Sequence, residues 1–233
     1  MDFSQEFKNI QGSVINVLAL DASNNSVSSG SGVLVGNGSL ALTCNHCIIE
    51  NTRIVARFSG SGSGEIAKVI FQDPDADIAI LEFSKPIGAP APLKTSTSLL
   101  VGHEAFVVGF PNNINKITAL SANIAGFEPN PKFNLIRLDA SVNHGNSGGP
   151  LFNSFGEVVG IVNAKHGSLS KFLDDVESVK DNIQMSVGGV NAFEVLQGLI
   201  REMKRNMNLG IGYAIPTEYI AQLDNTMCKI MNE

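Results

Sequence analysis

From Ser13 to Asn163 the chain alternates between short apolar runs and small clusters of Gly, Ser, Asn, Asp and Pro. Ser13–Leu20 reads as a strand, and Asp21–Gly32 as a polar hairpin tip. Gly32–Val35 and Ser39–Thr43 form the next pair around Gly36-Asn37-Gly38, a sequence suited to a tight turn. Thr52–Phe58, Glu65–Asp73, Asp77–Phe83, Glu104–Gly109, Lys116–Gly126, Leu135–Asp139 and Glu157–Asn163 continue the series. No helical periodicity separates these runs, so they predict an all-β sandwich or barrels rather than βαβ units. Lys85–Pro92 carries three prolines, which cannot donate to a ladder, and marks the boundary between two lobes, 1–92 and 93–233.

The period changes after His166. Phe172, Val176, Val179 and Ile183 fall at helical spacing, as do Phe193, Leu196, Leu199, Ile200, Met203 and Met207. Ser186–Gly189 interrupts the pattern, so 167–208 is expected to be an inserted helical hairpin that gates the substrate cleft or docks a partner or a second copy of the chain. Leu209–Ile215 returns to strand. A terminal helix is predicted over 217–231, with Thr217 as its cap and Ile220, Leu223, Met227 and Ile230 on one face.

Composition narrows the class. Of 233 residues, 43% are hydrophobic and 16% charged, enough apolar material for a sizeable core. The net charge of -6, without a Lys/Arg run, points away from nucleic acid. No apolar stretch is long enough to span a bilayer, and the first residues lack a basic-then-apolar leader. Three cysteines cannot all pair within one molecule. These signs together predict a cytoplasmic protein.

The candidate chemistry lies in three places. Gly145-Asn146-Ser147-Gly148-Gly149-Pro150 sets a serine among glycines, which allow a sharp turn and close backbone approach. Such a turn can present a nucleophile beside aimed N–H donors, as acyl transfer requires. A serine hydroxyl needs a base, and His46 stands at the end of a strand. The imidazole needs a carboxylate to hold its tautomer; Asp73, Asp75 and Asp77 are available, and Asp77 directly precedes an apolar strand that would bury it. Cys44, His46 and Cys47 also invite a zinc reading, with Cys228 or another histidine completing four ligands. Crowded at one strand end, where alternate side chains diverge, they do not converge as tetrahedral ligand pairs do. No metal and no organic cofactor are expected.

The order His46, Asp77, Ser147 and the flanking residues resemble the trypsin-fold serine proteases, and most closely the HtrA-type branch. The resemblance rests on Thr43-Cys44-Asn45-His46, Asp77-Ile78-Ala79-Ile80, Asp139–Pro150, Gly160–Asn163 and Gly210–Pro216. It implies two six-stranded antiparallel β-barrels with the site in the cleft between them. It further implies Ser147 as nucleophile, His46 as general base, Asp77 as orienting carboxylate, and the N–H groups of Gly145 and Ser147 as an oxyanion hole. Ser141, Val142, Asn163, Ala164 and Lys165 would line the pocket for the residue before the scissile bond, with no carboxylate at its floor. The expected function is therefore hydrolysis of proteins or peptides with small or medium apolar side chains at that position. The branch's usual C-terminal PDZ domain has no counterpart in these 233 residues. Two rivals remain at this point: a catalytically silent peptide-binding module, and an effector switched on by a partner through 167–208.

Overall fold

The structure is a computed structural model that describes residues 2–111, 114–163, 186–187, 190–191, 195, 197–200 and 210–223. Twelve strands build two closed antiparallel barrels. The first holds β1 (Val14–Leu20), β2 (Ser26–Val35), β3 (Leu40–Thr43), β4 (Arg53–Arg57), β5 (Glu65–Asp73) and β6 (Ile78–Glu82), in the order β1-β2-β3-β6-β5-β4. The second begins with β7 (Glu104–Gly109), β8 (Thr118–Pro129), β9 (Asn134–Asp139), β10 (Pro150–Asn153) and β11 (Val158–Asn163). After the segment 165–209 the chain re-enters this barrel and closes it with Ile211–Pro216, which lies between β11 and β9.

The alternation of side chains explains why so many strands are apolar on both faces. Ile15, Val17, Leu34, Ala41, Ile54 and Leu81 point into the first barrel. Their neighbours Val14, Val33, Val35, Leu42, Ile78 and Ile80 face the other way and pack on Phe106, Phe110, Phe152, Val158, Ile161 and Ile215 of the second barrel. Period-two alternation therefore yields two interiors and one shared seam, and every residue of β1 is buried. The seam extends to α1 (Ser4–Ile10), a helix absent from the reading of the sequence. Phe3 stacks on Phe106 with ring centroids 4.6 Å apart, and Phe106 on Phe152 at 5.1 Å.

The proline-rich link ties the barrels by backbone bonds. Ala91 N–H donates to Leu34 at 2.9 Å, and Lys94 N–H to Val158 at 2.9 Å. Two further expectations need correction. The tip read over Asp21–Gly32 is shorter, because the polar run Ser26–Ser31 pairs with β1 and belongs to β2. The strand Pro150–Asn153 is absent from the reading of the sequence; Pro150–Phe152 pair with β11 and Leu151–Asn153 with β7.

The segment Lys165–Leu209 is a separate compact unit. Where the sequence pattern breaks at Ser186–Gly189, β12 (Ser186–Val187) and β13 (Val190–Asn191) pair antiparallel. Val195 and residues 197–200 are helical, as the spacing predicts, whereas the first expected helix, 172–183, lies outside the described residues. The last strand of the second barrel is β14 (Ile211–Pro216), and α2 (Thr217–Leu223) follows it directly. The expected extension of this helix over 224–231 also lies outside the described residues. Thr217 is the first helical residue, and its hydroxyl is turned to the carbonyls of Lys94 and Val159, so it tethers the helix to the barrel. No helix among the described residues is long and apolar enough to cross a membrane.

Candidate active site

At the end of β3 the chain leaves the ladder through Cys44, still extended, and enters a single 3-10 turn over Asn45–Cys47. That turn carries the half-buried His46 to Asp77. Asn45 N–H donates to the Asp77 carbonyl at 3.1 Å, so the histidine turn and the aspartate turn are joined through the backbone. Asp77 lies at φ 58, in the left-handed region where Asp is tolerated better than most residues. Its conformation is imposed by the turn before it. The Asp73 carboxylate accepts the N–H groups of Asp75 and Ala76, both at 3.0 Å. Lys132 reaches Asp73 at 3.3 Å, and Tyr219 donates its hydroxyl at 3.1 Å. Burial pushes the Asp73 carboxyl up, but the Ala76 N–H, Lys132 and Tyr219 outweigh it and hold the group below the ordinary carboxylate range.

The Asp77 carboxylate has three donors around it. Oδ1 accepts the His46 backbone N–H at 2.8 Å, and Oδ2 stands 2.6 Å from His46 Nδ1. Oδ2 also accepts the Asn163 amide at 2.8 Å. Two N–H groups and an imidazole nitrogen therefore converge on one carboxylate. Asp73 and Asp75, the other sequence candidates, face Lys132 instead.

The serine loop is held against this same corner. Ser147 is buried, with 3% of its surface exposed, and its carbonyl accepts the Ser31 N–H of β2 at 2.8 Å. The Ser31 hydroxyl, itself fully buried, donates to the Gly145 carbonyl at 2.7 Å and accepts the Phe110 N–H at 2.9 Å. The Cys47 thiol lies 3.7 Å from the Ser147 carbonyl. Gly148, at φ +83, has no room for a side chain: a Cβ there would come within 2.2 Å of the Ser31 carbonyl and 2.4 Å of the Thr43 hydroxyl. The glycines sensed in the sequence thus let the second barrel's loop lie flush on β2 and β3 of the first. Asn146 N–H donates to Asn143 at 3.0 Å while Gly145 takes φ 92, the geometry of a type II turn.

Of the expected pocket residues, Ser141 is exposed and Val142 packs against Gly212 on β14. Asn163 is buried with its amide on Asp77. Ala164 and Lys165 lie outside the described residues. Sequence reasoning missed Ser31 and the Asn163–Asp77 contact; nothing in a polar strand or an Ile-Val-Asn end announces either.

Comparison with known proteins bears on the fold and the family. The model of the trypsin-like peptidase domain matches residues 30–161, more than half of the chain. A probable periplasmic serine endoprotease DegP-like from Pseudomonas fulva (strain 12-X) is 36% identical over 135 residues, 57% of this chain and 28% of that protein. The serine endoprotease DegS of Salmonella typhimurium (strain 14028s / SGSC 2262) is 32% identical over 138 residues, 57% of this chain and 38% of its own. The chain thus spans about a third of the length of these curated relatives. In fold it matches the HtrA-type protease AlgW with tripeptide at a TM-score of 0.71, with 22% identity, covering 99% of this chain and 64% of that one. The DegP-like relatives are periplasmic by name, which overturns the cytoplasmic location expected above; an odd cysteine count and the order of the first residues do not decide a compartment. On the family match, and with two closed six-stranded barrels, this chain belongs to the trypsin-like peptidase domain family.

Proposed function

We propose that this domain is a serine endopeptidase of HtrA type, with Ser147 as nucleophile, His46 as general base and acid, and Asp77 as the orienting carboxylate. The observation that carries the reading is the 2.6 Å contact of His46 Nδ1 with Asp77 Oδ2, beside a serine loop bonded to Ser31 of β2. Asp77 keeps the hydrogen on Nδ1 and leaves Nε2 with its lone pair. Ser147 Oγ attacks the scissile carbonyl carbon while its proton passes to Nε2. The oxygen of that carbonyl becomes an oxyanion beside the N–H groups of Gly145 and Ser147. Collapse breaks the C–N bond, and Nε2 returns the proton to the departing amine. Water then attacks the acyl-serine, gives a proton to Nε2, and releases the carboxylic acid product as Ser147 recovers its hydrogen.

The type II turn over Asn143–Asn146 supports the oxyanion role. A type I turn would rotate the His144–Gly145 peptide by about half a turn, and the positive φ that prevents this suits glycine. The peptide substrate would lie extended and pair with a strand edge. Ser141 and Val142 would border a pocket for a small or medium apolar side chain, with Asn163, Ala164 and Lys165 continuing its wall. Residues 1–92 and 93–233 would form the two lobes. The chemistry requires no metal or organic cofactor.

Labelling by a fluorophosphonate probe tests the reading. The protein is expected to form a covalent adduct at Ser147, and Ser147→Ala and His46→Ala to lose it. A folded wild-type protein that labels under no condition, with peptide substrate present or absent, would refute the proposal.

A further inference from the structure

Cys44 is a fully buried thiol next to the site that the hydrolysis above does not use. Its sulfur lies 3.2 Å from the Val162 carbonyl, and it is not in a disulfide. The thiol sulfur, a ring nitrogen of His46 and a carboxylate oxygen of Asp77 lie within 4.8 Å of one another. Around a tetrahedral zinc, with Zn–S of about 2.3 Å and Zn–N or Zn–O of about 2.0–2.1 Å, ligand atoms stand roughly 3.3–3.6 Å apart. The imidazole and carboxylate need to part by somewhat under ~1 Å to receive such an ion, and the sulfur to approach by no more than roughly 1.5 Å. Cys47 diverges from this group, as side chains at a strand end do, and points to the Ser147 carbonyl. The third ligand comes instead from Asp77, delivered by a separate turn. The side chains of His46 and Asp77 are 13% and 17% exposed, which gives an ion its approach from solvent.

We propose that Cys44, His46 and Asp77 form a capture site for a soft divalent cation, Zn2+ or Cd2+, whose binding stops catalysis. A thiolate, an imidazole and one carboxylate suit these ions and not Mg2+ or Ca2+, which require oxygen shells. On binding, Cys44 gives its S–H proton to solvent and coordinates as thiolate. A neutral His46 loses its Nδ1 hydrogen and takes one at Nε2, so that one proton is released per ion, nothing is oxidised or reduced, and water fills the fourth position. Nε2 then carries a hydrogen and can no longer accept the proton of Ser147. The inhibition rests on the function proposed above; the metal binding does not.

The full chain carrying Ser147→Ala and Cys228→Ser, which leaves Cys44 and Cys47 as its thiols, is titrated with Cd2+. A thiolate-to-metal charge-transfer absorption is expected to saturate at one ion per chain, to persist in Cys47→Ala, and to vanish in Cys44→Ala. Cys44→Ser, which keeps a hydroxyl for the Val162 carbonyl, replaces the alanine variant if that one fails to fold. With Ser147 intact, the half-inhibitory Zn2+ concentration is expected to rise at least tenfold in the Cys44 variants, each measured against its own metal-free rate. Absence of the band in the parent protein, or its survival in both Cys44 variants, overturns the site. Equal Zn2+ inhibition of the parent and the Cys44 variants overturns the inhibitory role. A protein that binds Cd2+ through Cys44 yet never labels at Ser147 separates failure of the catalytic reading from failure of the metal site.

Discussion

The Asn163 amide donates at 2.8 Å to Asp77 Oδ2, the oxygen that also meets His46 Nδ1 at 2.6 Å. The last residue of β11 in the second barrel thus steadies the carboxylate that steadies the histidine of the first. A hydrogen bond to a charged acceptor contributes about 1.5–3 kcal/mol, and Asp77 keeps the His46 N–H as a further donor. Asn163→Ala is therefore expected to lower kcat by about tenfold or more with a smaller change in KM. Steady-state kinetics on a peptide substrate check this, and an unchanged kcat would contradict it.

The Ser31 hydroxyl bridges two backbone groups of the second barrel's loops, the Gly145 carbonyl and the Phe110 N–H. Ser31→Ala leaves the Gly145 carbonyl and the Phe110 N–H without this buried partner. The cost is expected at about 1–3 kcal/mol of unfolding free energy, since a buried polar group left unmade loses its full desolvation. Fluorophosphonate labelling should slow as well, because the freed carbonyl loosens the turn that carries Gly145. Denaturant midpoints and labelling rates measure the two effects separately.

Two glycines provide a contrast. Gly148→Ala places a Cβ 2.2 Å from the Ser31 carbonyl at φ +83, and no flexible side chain can give way. A loss of more than about 3 kcal/mol, or failure to fold, is expected. Gly12→Ala meets nothing within 4 Å, and its φ is not in the left-handed region. There the smaller entropy of the unfolded chain is expected to leave stability unchanged or raised by about 0.4–1 kcal/mol. Thermal melts of the two variants should move in clearly different ways.

Asp73 predicts the acid response. Its folded-state pKa is depressed by the Ala76 N–H, Lys132 and Tyr219 against the opposing effect of burial. A depressed carboxylate stabilises the fold above its unfolded pKa, and that contribution is lost as pH falls through the folded value. Asp73→Asn should lower the urea midpoint at neutral pH and flatten its decline below the ordinary carboxylate range. Parallel curves for the two proteins from neutral to acid pH would show that Asp73 carries none of the acid response.

Much of this molecule is written locally. Strand positions follow from runs such as Glu65–Asp73 and Glu104–Gly109, which match the ladders residue for residue. The errors have a common cause. Ser26–Ser31 has Val27 as its one apolar side chain and reads as a loop, yet its backbone pairs with β1 regardless. Ser4–Ile10 is too short for periodicity to mark, and it is held by Phe3 and Phe7 packing on the seam cluster.

By itself, the order of residues determined the all-β class, most strand positions, and the candidates His46, Asp77 and Ser147, because strand periodicity and glycine placement act over a few neighbours. The tertiary structure alone decided what surrounds them. Asn163 reaches Asp77 across 86 residues of sequence, and Ser31 reaches Gly145 across 114. It also turned Cys44 and Cys47 to different carbonyls, Val162 and Ser147. Such contacts form only when two closed barrels bring distant strand ends to one seam, and no local pattern encodes that distance.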